Sequence, residues 1–157
     1  LAGQNAPATA SGWESFFKRY DLMYVSEQTL LDNPAGYRFT FDMETRLFSS
    51  PKRSFYFVLT ISEASGRSFI GTFGRIAVDD GMAIVPIMVE RKFLSKILRG
   101  QSERTTVEDK SFRPESCTLY IRPYRGGYRV SYKGEMSIFH TLHSGREYEF
   151  IPLPKSN

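Results

Sequence analysis

The sequence predicts an α+β domain made mostly of antiparallel β structure, in a curled sheet or small barrel of seven to eight strands. A short N-terminal helix and a short mid-chain helix complete the prediction. Aromatic residues are abundant, with 13 Phe, 9 Tyr and one Trp in 157 residues, and flat rings are favoured on the half-buried face of a sheet. Several segments alternate apolar and polar residues, and Gly- or Asp-containing turns separate them. Short strands joined by tight turns indicate meanders.

The length and composition are typical of one globular domain. Residues 1–10 (LAGQNAPATA) are small and polar, which indicates a flexible leader or linker before a single domain at residues 11–157. No apolar run reaches the roughly 18 residues of a membrane-spanning helix. The chain starts at Leu1, and Ala8-Thr9-Ala10 resembles a signal-peptidase site. These features favour a periplasmic, secreted or membrane-tethered extracytoplasmic location, with the cytoplasm as the alternative.

The first regular element is predicted to be a short amphipathic helix. Ser11 and Glu14 match a capping box, and an aromatic stripe follows at helical spacing. Such a stripe is expected to pack on a sheet as a plug or lid, while insertion at a membrane interface is the alternative. The stripe consists of Trp13, Phe16, Phe17 and Tyr20.

Strand patterns follow after the Asn33-Pro34-Ala35-Gly36 breaker. Residues 37–44 alternate strictly, whereas residues 55–61 are apolar at nearly every position and are expected to be covered on both faces or to lie centrally. Further strands are predicted at residues 67–78 and 82–90, joined by the Asp79-Asp80-Gly81 turn. Gly71 and Gly74 indicate a bulge or bend. A second meander is predicted from Cys117 to the C-terminal segment EYEFIPL, with a turn at Arg125-Gly126-Gly127.

Between the two meanders, residues 91–99 (RKFLSKILR) are predicted to form the mid-chain helix. Phe93, Leu94, Ile97 and Leu98 fall on one side at helical spacing, and Gly100 follows as a stop signal. Residues 101–116 are polar and lack periodicity, so they are predicted to form a long exposed loop.

Catalytic chemistry has few candidates. The only histidines, His140 and His143, would point to opposite sides of a strand, and a zinc ion needs more ligands than they and Cys117 supply. Cys117 begins an apolar strand, as a small core residue does. We therefore assign no catalytic residue, no metal and no cofactor. A small enzyme that uses Cys117 or His140 and His143 is kept as an alternative.

The sequence favours binding over catalysis as the class of function. We expect a non-enzymatic binding or assembly subunit, with a protein partner or self-association at an exposed sheet edge, or a small apolar ligand held by the curled sheet. For the ligand, the expected lining consists of Phe39, Phe41, Phe57, Phe69, Phe73, Tyr120 and Tyr132.

The alternative partner is a nucleic acid or an anionic surface, including an anionic membrane. From Arg91 to Lys133 the chain has eleven Lys or Arg and four Asp or Glu, a balance of +7 within a total of +4. The motif RPYRGGYR at residues 122–129 interleaves guanidinium and aromatic groups, which bind phosphates and stack on bases. The candidate anion-binding residues are Arg91, Lys92, Lys96, Arg99, Arg122, Arg125 and Arg129.

Overall fold

The computed structural model describes residues 6–25, 37–42, 56–61, 66–139 and 142–155. They form one helix and ten strands. These are α1 (Ala10–Arg19), β1 (Tyr20–Tyr24), β2 (Tyr37–Asp42), β3 (Tyr56–Ile61), β4 (Arg67–Phe73), β5 (Ala77–Asp79), β6 (Met82–Ile97), β7 (Arg104–Glu108), β8 (Glu115–Tyr124), β9 (Gly127–Lys133) and β10 (Tyr148–Pro154).

Eight of the strands form a closed antiparallel barrel. The order around the wall is β4-β3-β2-β1-β10-β9-β8-β6, and pairing of β4 with β6 closes the ring. The first and last strands of the chain are also neighbours, because β1 pairs with β10. The two short strands, β5 and β7, pair only with β6 among the described elements. The predicted antiparallel barrel with an N-terminal helix is therefore confirmed.

Side chains alternate between the two faces of the wall, as a period of two requires. In β2 the odd-numbered residues from Tyr37 to Phe41 are buried and their neighbours are half-buried. β3 alternates as well, so it is not covered on both faces, although it has the expected central position between β2 and β4. Its outward residues Tyr56, Val58 and Thr60 face the outside of a barrel, where no second layer lies within the described residues.

Helix α1 closes one end of the barrel. Trp13 and Phe17 are fully buried, and the Phe17 ring stacks on Phe41 with centroids 4.2 Å apart. Trp13 meets Tyr128 edge-on at 5.5 Å. Phe41 lies near the end of β2 and Tyr128 near the start of β9, so the aromatic stripe seals the mouth that these two strand ends share. The predicted plug or lid is thus the packing that the helix adopts.

A non-helical segment covers the opposite end. After β9 ends at Lys133, the chain places Met136, Ile138, Phe139 and Leu142 in buried positions. Phe139 packs on Tyr132 at 4.6 Å. The Tyr132 hydroxyl donates a 2.9 Å hydrogen bond to the Leu142 carbonyl, which ties this segment to the wall. His140 lies outside the described residues.

The predicted mid-chain helix and the loop after it are wrong. Residues 91–97 continue β6 as extended chain, and β7 occupies part of the expected loop. β4 supplies backbone partners to β6 from Arg91 to Leu94, and β7 supplies them from Phe93 to Ile97. An isolated nine-residue helix is marginal in water, so strand pairing with distant segments prevails over helical spacing.

A bulge lies within the β4–β6 ladder, at the point where the buried residues of β6 end. Gly71 pairs with Val89 but Ile70 pairs with Arg91, so Glu90 is an extra residue on β6. A Cβ on Gly71 would lie 1.8 Å from the Met88 carbonyl oxygen, so only glycine allows this close approach. Bulges bend and twist a strand, and this one marks the start of the outer part of β6.

Candidate functional site

The expected apolar lining is packed against itself. Six of the seven residues are buried and face inward, and their rings touch: Phe39 to Phe57 at 5.6 Å and Phe41 to Phe73 at 5.3 Å. Tyr120 instead lies on the outer face, with the Lys133 ammonium 5.4 Å from its ring centroid. Phe69 packs on Phe112 and Tyr132 on Phe139, so the six side chains belong to one filled core, from which Tyr120 is separate.

Of the candidate enzyme residues, the structure describes Cys117 and His143. Cys117 is buried, and desolvation, with a smaller effect of Glu115, raises the pKa of its thiol to about 12. At neutral pH only about one thiol in 10⁵ would be ionised, and the thiolate is the nucleophile. His143 is exposed, and its backbone N–H donates to the Tyr148 hydroxyl at 2.8 Å. The described residues contain no cluster of three metal-ligating side chains.

An open cleft lies across β4, β6 and β8. It has a volume of about 450 Å³, and Thr72, Met88 and Ser116 form one cross-strand row in its floor. None of its lining residues is charged. A ligand site needs convergent polar groups to orient its occupant, and this cleft offers only hydroxyls, a buried thiol and backbone.

The outer part of β6, its connecting loop and β7 form a protruding hairpin, which we call the arm (residues 91–108). Beyond Val89 no residue of β6 is buried, so the arm leaves the core. Ser95 N–H donates to the Gly66 carbonyl at 2.7 Å, which is the last backbone contact to the β4 side. From Lys96 to Arg104 the arm consists of two strand ends and a loop, which we call the arm tip (residues 96–104).

Cations at the base of the arm are neutralised by acidic partners. Arg91 lies 3.9 Å from Glu108, and Lys92 lies 3.7 Å from Asp109. Lys110 donates to Glu108 at 2.7 Å, and this hydrogen bond holds the pKa of the Glu108 carboxyl below its usual range. Two of the expected anion-binding residues are therefore occupied within the fold.

Cations at the arm tip differ from those at the base in forming no ion pair among the described residues. Lys96, Arg99 and Arg104 are all exposed. Glu103 is the single acidic residue of the arm tip, so the tip has a formal charge of +2, from three cations and one anion. Hydrogen bonds from Ser111 lower the pKa of the Asp109 carboxyl, and the charges of Lys92 and Lys96 lower it further, so Lys96 has an acidic neighbour without forming an ion pair. Arg99 and Arg104 are exposed at the end of the hairpin, where they can meet an external anion.

The arm tip also exposes two large apolar side chains. Ile97 is 62% exposed and Leu98 is 41% exposed. Leu98 begins a tight turn, in which the Gln101 N–H donates to the Leu98 carbonyl at 3.0 Å and Gly100 has a φ of 83°. That positive φ at the third position is typical of a type II turn and favours glycine. Their spacing predicted that both apolar residues share one side of a helix with Phe93 and Leu94.

The second basic group is the β8–β9 hairpin. Arg122, Arg125 and Arg129 surround the Tyr124 ring, with guanidinium carbons 5.7, 5.2 and 3.6 Å from its centroid. The three guanidinium groups of this hairpin therefore lie around one tyrosine ring. Arg122, however, is held by Glu147 through two hydrogen bonds of 2.5 and 2.9 Å. This partner lies 25 residues away in sequence, so no local motif identifies it.

The two basic groups lie towards opposite ends of β6. Ile121, next to Arg122, pairs with Ala83 near the start of β6, whereas Lys96 is near its end. At about 3.3 Å per residue the separation along the strand is about 40 Å. The +7 segment is therefore divided into two surfaces. Sequence reasoning also missed Arg104, because it lay in the predicted loop.

Comparison of the chain with protein-family models, with curated proteins and with solved structures finds no match. Among the described residues no helix is long and apolar enough to cross a membrane.

Proposed function

We propose that this chain is a non-catalytic binding domain that docks on an anionic, phosphate-bearing surface through the arm tip. The observation behind the proposal is the contrast along one hairpin. Cations at the base of the arm have acidic partners, while Lys96, Arg99 and Arg104 at its tip are exposed and form no ion pair within the described residues.

The position of Lys96, Arg99 and Arg104 at the end of the hairpin makes them accessible to an anionic surface. They lie at the end of a hairpin that extends beyond the buried core, so a broad surface can approach them without meeting the barrel wall. A basic side chain near an anionic membrane surface contributes about 1 kcal/mol, and the contribution falls as salt screens it. Three cations together therefore supply roughly 3 kcal/mol at low ionic strength.

The proposal predicts that charge reversal at the arm tip abolishes docking. The triple variant Lys96→Glu, Arg99→Glu and Arg104→Glu should bind phosphatidylserine-containing vesicles or duplex DNA about 100-fold more weakly than the wild type at low salt. Cosedimentation with vesicles and fluorescence anisotropy with labelled DNA measure the two affinities. High salt should weaken wild-type binding.

The matched control carries the same charge change elsewhere. Lys18, Arg75 and Arg146 are exposed and distant in sequence from the arm, and their replacement by Glu should leave most of the binding intact. Equal loss in both triple variants, or a wild type that binds neither probe, would contradict the proposal.

A protein partner is the second candidate. It is favoured by the outer edge of β7, which pairs with β6 alone among the described strands and so presents unpaired backbone groups. Sedimentation of the wild type over a range of concentrations tests a second copy as that partner. The apolar-ligand version gains no support from the interior, since each of its six inward rings packs on neighbouring core side chains.

A further inference from the structure

We infer that the surface in question is an anionic lipid bilayer, into whose interfacial layer the arm tip inserts Ile97 and Leu98. This inference rests on the proposed function and identifies its partner. It predicts that an apolar contribution to binding accompanies the electrostatic one, at a defined point of the molecule.

The exposed apolar side chains are concentrated at this point. The large hydrophobic residues exposed among the described residues are Met88, Ile97, Leu98 and Ile151, and Ile97 is the most exposed of them. Ile97 and Leu98 are adjacent and lie at the end of a protrusion, whereas Met88 and Ile151 lie on the barrel wall. Transfer of such side chains from water into hydrocarbon is favourable, so their exposure at the arm tip would strengthen binding to a bilayer.

The cations are placed around the apolar pair. Arg104 lies directly across the hairpin from Ile97, Lys96 precedes it, and Arg99 follows Leu98. With Ile97 and Leu98 at the acyl boundary, long basic side chains can extend to the phosphate layer while their stems stay with the apolar surface. An apolar end ringed by cations is complementary to a bilayer with an anionic headgroup region.

Two hydrogen bonds within the arm satisfy polar groups near its end, one between backbone groups and one between side chains. The Leu98 carbonyl accepts from Gln101, and the Gln101 side chain in turn accepts from the Thr105 hydroxyl at 3.2 Å. These internal hydrogen bonds reduce the number of polar groups that must lose water when the tip enters the interface.

Nucleic acid fits the same surface less well. Unpaired bases stack mainly on aromatic rings, and the arm tip has arginines but no aromatic side chain. The aromatic ring surrounded by arginines, Tyr124, lies on the other hairpin, towards the opposite end of β6. The occupant of the arm tip is therefore assigned as lipid.

A single fluorophore can report insertion. Trp13 is the only tryptophan of the chain and is fully buried on the inner face of α1, so it serves as a constant background. In the Ile97→Trp variant, phosphatidylserine-containing vesicles should shift the emission of the new indole to the blue, and brominated acyl chains should quench it. Pure phosphatidylcholine vesicles should cause a smaller change.

An affinity measurement provides the second readout. Ile97→Asn with Leu98→Asn should weaken vesicle binding about tenfold or more and leave duplex DNA binding unchanged. Ile151→Asn is the matched control, because Ile151 is 42% exposed but lies on the barrel wall; its vesicle binding should equal that of the wild type. Thermal unfolding verifies that each variant is folded.

The outcomes separate the inference from the proposed function. Charge-dependent wild-type binding with no blue shift and no loss in the double Asn variant would overturn lipid insertion and leave docking intact. A wild type that binds neither vesicles nor DNA would overturn both. A dimer that dissociates in the double Asn variant, without vesicle binding, would identify a second copy as the occupant and overturn the lipid assignment.

Discussion

Arg122 illustrates how a neighbour distant in sequence changes the role of a charge. The RPYRGGYR motif predicted an anion-binding arginine, but its guanidinium forms two hydrogen bonds with the Glu147 carboxylate. Both side chains are 38% exposed. The pair connects the β8–β9 hairpin to the segment just before β10, so this arginine stabilises the wall of the barrel.

The pair predicts a pH-dependent coupling. The hydrogen bond from Arg122 holds the pKa of Glu147 below its usual range, so this carboxyl contributes stability above its unfolded-state pKa and loses it as the pH falls through the lower, folded value. A double-mutant cycle of Arg122→Ala and Glu147→Ala in urea unfolding should give about 1 kcal/mol at neutral pH. The coupling should shrink as the pH is lowered through the depressed pKa of Glu147 and the carboxyl is protonated.

Glu135→Ala is the control, because Glu135 is exposed and forms no ion pair among the described residues. A coupling that stays constant or grows on acidification would show that the two side chains interact by packing rather than by charge.

Helix α1 shows the accuracy with which one element could be predicted. Its aromatic stripe and its existence followed from residue spacing, but its start did not. The capping box predicted Ser11, whereas the helix begins at Ala10 and Thr9 is the N-cap, its hydroxyl accepting from Gly12 N–H at 3.1 Å. Ser11 lies one residue inside the helix.

The two hydroxyls should therefore differ in their effect on stability. Thr9→Ala should lower the free energy of unfolding by about 1 kcal/mol, because it leaves a helix N–H without its acceptor. Ser11→Ala should change it by less than about 0.5 kcal/mol, since alanine is favoured inside a helix. Denaturant unfolding followed by Trp13 fluorescence measures both. The reverse order would assign the cap to Ser11.

The arm is the element whose structure the sequence did not predict, because residues 91–99 have the spacing of a helix. Phe93, Leu94, Ile97 and Leu98 recur at helical spacing, and no feature of residues 91–99 alone distinguishes that pattern from an extended arm. The extended conformation is set by pairing with β4, more than twenty residues earlier, and with β7, which lies in the segment predicted to be a loop. The candidate site was therefore only half predicted: Lys96 and Arg99 were named, but not the surface they share with Ile97, Leu98 and Arg104.

At the scale of the whole molecule, the barrel should be independent of its arm tip. Ser95 pairs with Thr106, so an Asn-Gly linker replacing residues 96–105 would close the hairpin with a two-residue turn. No buried residue is removed, so the melting temperature should change by only a few degrees, about the shift caused by 1 kcal/mol. Vesicle binding should fall to background.

Circular dichroism and cosedimentation test the two halves of this prediction. The full-length chain is the reference, and the Lys18, Arg75 and Arg146 triple variant controls for loss of charge. Unfolding of the shortened chain would show that the arm supports the barrel, while retained vesicle binding would place the docking surface elsewhere.

The sequence by itself determined the local character of the chain. Period-two alternation defined most wall strands, glycine and aspartate marked turns such as Asp79-Asp80-Gly81, and the stripe from Trp13 to Phe17 defined a helix with one packed face. These features depend on neighbouring residues along the chain. Tertiary structure decided which strands close the ring, that residues 91–97 are extended, and which cations are paired. Those outcomes depend on hydrogen bonds and charges supplied by distant segments, and a local pattern contains no information about such partners.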